Sequence, residues 1–97
     1  MQPVIHPPAD DGSVTVELAY PFTPKGAKTE MREVTLRRCR AGDFRKVAGL
    51  DADAQSFRLV ELCGGLLPAD VDCLDVADWN ALVGVVSGFS RAGQTGA

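Results

Sequence analysis

The chain has 97 residues, 45 % hydrophobic and 24 % charged, enough for one domain with one core and too short for two independent ones. A formal charge of −3 and a pI near 4.9 argue against generic polyanion binding, which needs a surplus of positive charge on at least one face. The three cysteines Cys39, Cys63 and Cys73 form no CxxC pair, which suits a reducing compartment and argues against a closely spaced zinc set even with His6 added.

In chain order, "MQPVIHPPADDG" combines Pro3, Pro7 and Pro8 with Asp10, Asp11 and Gly12, a composition that resists regular structure. It has no apolar centre of a secretory signal, so residues 1–12 are expected to form a flexible leader, with order beginning near Ser13. "SVTVELAY" alternates Val14, Val16, Leu18 and Tyr20 with Ser13, Thr15, Glu17 and Ala19, the period of a strand with one buried face, and Pro21 is expected to end it. After a turn around Pro24 and Gly26, "MREVTLRR" places Val34 and Leu36 on one face and Glu33, Thr35 and Arg37 on the other. The two runs predict a β-hairpin, which needs helices on its apolar face because an isolated hairpin is marginal in water.

Asp43 marks a short helix that stops near Gly49. The next run brings Phe57, Val60 and Leu62 or Cys63 to one helical face and stops at Gly64 and Gly65. Pro68 fits a first helical position, with Val71 and Leu74 facing the core. Asp75 and Asp78 read as an acidic cap and a first-turn carboxylate, opening a helix whose Trp79, Leu82, Val83, Val86 and Phe89 make an apolar stripe. Ala81, Gly84 and Gly88 give that helix a second, small-residue face. The expected fold is α+β: an N-terminal β-hairpin packed on a small C-terminal bundle of about three helices, spanning 13–90, with a flexible tail over 91–97. The apolar run at Ala81 to Val86 is too short to span a bilayer, so a soluble protein is expected.

Charge is divided along the chain. Residues 25–46 hold Lys25, Lys28, Arg32, Arg37, Arg38, Arg40, Arg45 and Lys46 against three acids, whereas Asp51 to Asp78 is acidic with Arg58 as its one cation. The economical reading is mutual attraction of the two halves within the fold. A histidine-dependent triad is excluded, because the one histidine lies in the leader. Cys63 and Cys73 read as small buried hydrophobes, the aspartates at helix openings as caps, and "GGLLP" lacks the lysine and hydroxyl of a phosphate loop. No catalytic residue, metal or cofactor is expected. The basic segment lacks the interleaved aromatics of a nucleic-acid surface, with Phe44 alone nearby.

The ordered motifs resemble a known family: the small tail assembly chaperones of tailed bacteriophages, in the group labelled tail assembly protein E, 41 or 14, typical of Mu-like and related contractile-tailed phages. Val34 to Arg38 read "VTLRR" where that family has a strand ending in L-T-L-R-R, and Asp43 follows at the fitting distance. Gly65, Leu66, Leu67, Pro68, Ala69 and Asp70 stand at its G-L-S-P-E-D type helix start, and Leu74, Asp75, Asp78, Leu82 and Phe89 match its last segment. Leu67 stands where the family favours a capping Ser, Gly64 where Thr is usual and Cys39 where Pro is common.

The resemblance implies a non-enzymatic assembly factor in the cytoplasm of a bacterial host, absent from the mature virion. Its implied partners are the tape measure protein and the tail tube protein, together with a longer frameshifted form of itself or a second copy, and no membrane. Arg37, Arg38, Trp79, Leu82, Val86 and Phe89 are the candidate partner-binding residues, with Asp43, Gly65, Pro68, Leu74, Asp75 and Asp78 as structural motif positions. Two other readings stay open: a nucleic-acid-binding regulator of a mobile element that uses residues 25–46, and a structural tail component.

Overall fold

A computed structural model describes the backbone of residues 2–95 and the side chains of residues 2–89. Three antiparallel strands, β1 (Val4–Ile5), β2 (Val14–Phe22) and β3 (Met31–Leu36), precede four helices: α1 (Ala41–Val47), α2 (Ala52–Gly64), α3 (Pro68–Asp72) and α4 (Val76–Thr95). The fold is α+β. One sheet of order β1-β2-β3 packs its apolar face against α2 and α4, with α4 lying on β2 and α2 on β3.

The alternation in β2 and β3 builds that face. Val14 pairs with Leu36 and Val16 with Val34, and all four side chains point inward. Beneath them lie Val60, Cys63, Leu82, Val86 and Phe89 from α2 and α4, with Val47 of α1 and Val71 of α3 closing the ends of the core. Burying a side chain such as Leu82 contributes about 1.5–3 kcal/mol through removal of apolar surface from water. Among the described residues, no helix is long and apolar enough to cross a membrane.

Several sequence expectations change. The segment expected to lack regular structure supplies β1, in which Val4 pairs with Glu17 and Ile5 with Val16 on the outer edge of β2. The His6 amide extends this edge by donating to the Thr15 carbonyl at 3.0 Å, and the His6 ring contacts the Glu17 carboxylate at 2.6 Å. At the other end α4 continues to Thr95, past the position where a tail was expected, while residues 96–97 lie outside those described. Among the described residues the four helices fall on the four helical segments marked in the sequence, with α1 and α3 as short segments flanking α2.

Strand β2 does not end at Pro21 but runs on to Phe22, and its pairing with β3 shifts register between Glu17 and Phe22. Leu18 and Ala19 are consequently both buried, and Tyr20, expected inside, is exposed. An irregularity of this kind breaks the period of two and leaves consecutive backbone groups without a strand partner. In α2, Phe57 lies outward and Leu59 takes an inner place; residues two apart on a helix differ by roughly 200°, so only one of them can face the sheet.

Candidate partner-binding surface

Three polar arrangements fix the elements around which a partner surface can form. At the exit of β3, Arg37 sends two parallel hydrogen bonds to Asp43 on the first turn of α1, at 2.8 and 2.9 Å. The Arg40 amide donates to the same carboxylate at 2.8 Å, so the turn into α1 closes around one buried acid. The N-cap residue Arg40 offers no side-chain acceptor, and Asp43 supplies the return half of a capping box. Hydrogen bonds from Arg37 hold the Asp43 carboxyl well below the usual carboxylate range, outweighing the opposing effect of burial. The same hydrogen bonds push the Arg37 guanidinium above its ordinary value. Arg38 turns the other way: its stem packs on Gly12 and its guanidinium lies over the Phe89 ring, 5.5 Å from the centroid.

The second arrangement involves Asp78. It occupies the first turn of α4, but its fully buried carboxylate accepts from the Ala19 and Tyr20 amides of β2, at 2.8 and 3.0 Å. These are the backbone donors that the register shift withdraws from the strand ladder. Asp75, just before α4, accepts from the Ala77 amide at 2.9 Å in the manner of a cap.

The third arrangement ends α2. Gly65 adopts the left-handed conformation, with φ of 64°, and the Gly65 and Leu66 amides both return to the Glu61 carbonyl. Pro68 then opens α3. Leu67, its N-cap, has no side-chain acceptor, and Asp70 reaches back to the Leu67 amide at 3.1 Å in place of the missing hydroxyl.

Against this frame the candidate partner residues separate. Leu82, Val86 and Phe89 are 0, 6 and 8 % exposed, so they hold helix to sheet and have little surface to offer a partner. Leu74 is half-buried against the same core. Trp79 is half-buried and stacks on Phe57, with ring centroids 4.5 Å apart, making an aromatic pair across the α2–α4 seam. Arg37 and Arg38 are engaged within the fold as described. The basic and acidic halves are not joined by close ion pairs: among the described residues the close pairs on these segments are local, Arg32–Glu30, Arg37–Asp43 and Arg58–Glu61.

Beside the seam, α1, α2 and α4 enclose a groove of about 360 Å³. Its apolar walls are Phe44, Leu59, Val60, Val83 and Val86, with Gln55 and Ser56 among its polar edges. Sequence reasoning missed Phe44 and Phe57 as surface aromatics. For Phe44 a signal existed: once Asp43 turns inward to cap and pair, the next side chain lies roughly 100° round the helix and faces out. The small-residue face of α4 is open too, since a methyl group added at Gly84 or Gly88 would meet nothing within 4 Å.

Of the two cysteines expected to be buried, Cys63 is and Cys73 is not. Cys73 is exposed, whereas Cys63 is buried with its sulfur 3.0 Å from that of Cys39. Burial, reinforced by the Cys39 contact, pushes the Cys63 thiol up to about 12. Asp43 brings a third donor within 4.8 Å of the two sulfurs, but its oxygens already serve Arg37 and the Arg40 amide.

Residues 15–91 match the family model described as phage tail assembly chaperone proteins, E, or 41 or 14. The chain belongs to this family. The matched span runs from the start of β2 into α4 and contains each of the three polar arrangements around Asp43, Asp78 and Gly65. Comparison with curated proteins and with solved structures finds no match. The chaperone family implies an interaction with phage tail proteins.

Proposed function

We propose that this tail assembly chaperone acts without catalysis, binding the tape measure protein and helping to recruit tail tube subunits around it during tail morphogenesis. The observation that carries this reading is the family match over residues 15–91, which includes nearly all of the packed core. The proposed occupant of the α1–α2–α4 groove is an amphipathic helix of the tape measure protein, its apolar face against exposed Phe44 and half-buried Val83, over the buried Leu59 and Val86. The exposed charges Arg45 and Lys46 on α1 and Asp53 on α2 set orientation and specificity more than affinity. The protein works in the host cytoplasm before the virion is complete and is left out of the finished particle. A longer form sharing its N-terminal domain, or a second copy, works alongside it.

The rival nucleic-acid reading draws on the basic segment, and the commitment of Arg37 to Asp43 and of Arg38 to Phe89 counts against it. Co-expression with the tape measure protein encoded nearby, followed by capture at low and elevated salt with nuclease, tests the proposal. A soluble complex that survives both treatments and is weakened at least tenfold by Phe44→Ser supports it. No complex, or one that disappears with nuclease, overturns it.

A further inference from the structure

Cys39 lies between β3 and α1, and Cys63 lies near the C-terminal end of α2, 24 positions on in sequence. Both are free thiols whose sulfurs face each other at 3.0 Å. Their backbones are tied as well: the Arg37 amide donates to the Cys63 carbonyl at 3.0 Å, and the Arg37–Asp43 pair fixes the turn on which Cys39 sits. Closing the gap to a disulfide length of about 2.05 Å requires roughly 1 Å of sulfur movement, within reach of side-chain rotation. Half-buried Cys39 is open to a small reagent from solvent, whereas buried Cys63 is screened.

We propose that Cys39 and Cys63 form a reversible redox pair that closes to an intramolecular disulfide by exchange with a low-molecular-weight disulfide such as oxidised glutathione. This inference stands apart from the chaperone reading. The Cys39 thiolate attacks one sulfur of the oxidant, forming a mixed disulfide and expelling one glutathione thiolate. Cys63 then gives its proton to solvent, and its sulfur attacks that of Cys39, expelling the second glutathione. Two protein thiols lose two electrons and two protons, and one glutathione disulfide becomes two glutathione thiols. Burial keeps Cys63 protonated at neutral pH, which assigns it the resolving step and makes closure faster as pH rises. The new bond would staple the β3–α1 turn onto α2. A metal is the weaker use of these donors, because both Asp43 oxygens already accept hydrogen bonds from Arg37.

The test uses the full chain carrying Cys73→Ser, which removes the exposed thiol able to link two molecules. Oxidised glutathione is added over a range of ratios at pH 7 and 8.5, and intact mass, alkylation and thermal melting are followed. The expected product is lighter by two hydrogens, has both thiols blocked to alkylation, melts at higher temperature and reverts with dithiothreitol. Cys39→Ser should abolish both closure and glutathione uptake. A glutathione adduct that persists on Cys39, or two thiols that stay alkylatable at every ratio, overturns the proposal. So does stoichiometric zinc(II) bound through the two thiols and preventing closure, which would assign the pair to a metal.

Discussion

Replacing Asp78 separates the contribution of one buried carboxylate from that of the strand pairing around it. Both of its oxygens accept from β2 amides, Ala19 at 2.8 Å and Tyr20 at 3.0 Å, and the side chain is fully buried. Alanine removes both acceptors at once. The Ala19 amide is in the buried contact and bears the desolvation cost of an unmet donor, about 1–3 kcal/mol, while the Tyr20 amide lies nearer solvent and can recover a water at about 1 kcal/mol. Asp78→Ala should therefore lose about 2–4 kcal/mol, a large share of the roughly 5–15 kcal/mol typical of a folded domain. Asp78→Asn keeps the shape but turns an amide donor toward one of the two N–H groups, so it should lose about 1–3 kcal/mol with almost no change in packing. Urea unfolding followed by circular dichroism measures both, with an unchanged m value showing that the same surface is exposed. An asparagine variant as stable as the parent, or an alanine variant within about 0.5 kcal/mol of it, would refute the argument that Asp78 anchors β2 to α4.

Acid should act on Asp43. Its folded pKa is depressed, so its contribution is complete above the unfolded value near 3.8 and is lost as pH falls toward the folded one. The stability difference between the parent and Asp43→Asn should hold steady from about pH 5 to 8 and shrink below about pH 4; a difference unchanged down to about pH 2 contradicts the ion-pair assignment. Gly84→Ala should stabilise the chain by about 0.5–1 kcal/mol, since the added methyl meets nothing within 4 Å and alanine is the better helix former. If the same variant gains stability but loses tape measure capture, the open face of α4 is where the partner helix approaches; capture unchanged leaves the groove beside α2 as the docking surface.

Local periodicity was enough to read the paired strands, the stop at Gly65 and the apolar stripe of α4, because each depends on residues a few positions apart. It failed where the deciding partner is remote. Val4 and Ile5 become a strand only by pairing along the edge of β2, and their proline-rich surroundings carry no sign of it. Cys39 and Cys63 meet because β3 ends against the last turn of α2, a contact that no spacing rule for cysteine pairs anticipates. The apolar stripe was identified as a stripe, but the sheet covers most of it, so the surface left to a partner shifts to Phe44, Phe57 and Trp79 at its margin. The alternation of β2 fails at Leu18 and Ala19 for the same kind of reason. Two successive amides leave the ladder to bind a single carboxylate 59 and 58 positions away. Read locally, Asp78 is one more acid at the opening of a helix; its burial goes with two β2 donors that lie where the pairing with β3 shifts register and that its carboxylate satisfies.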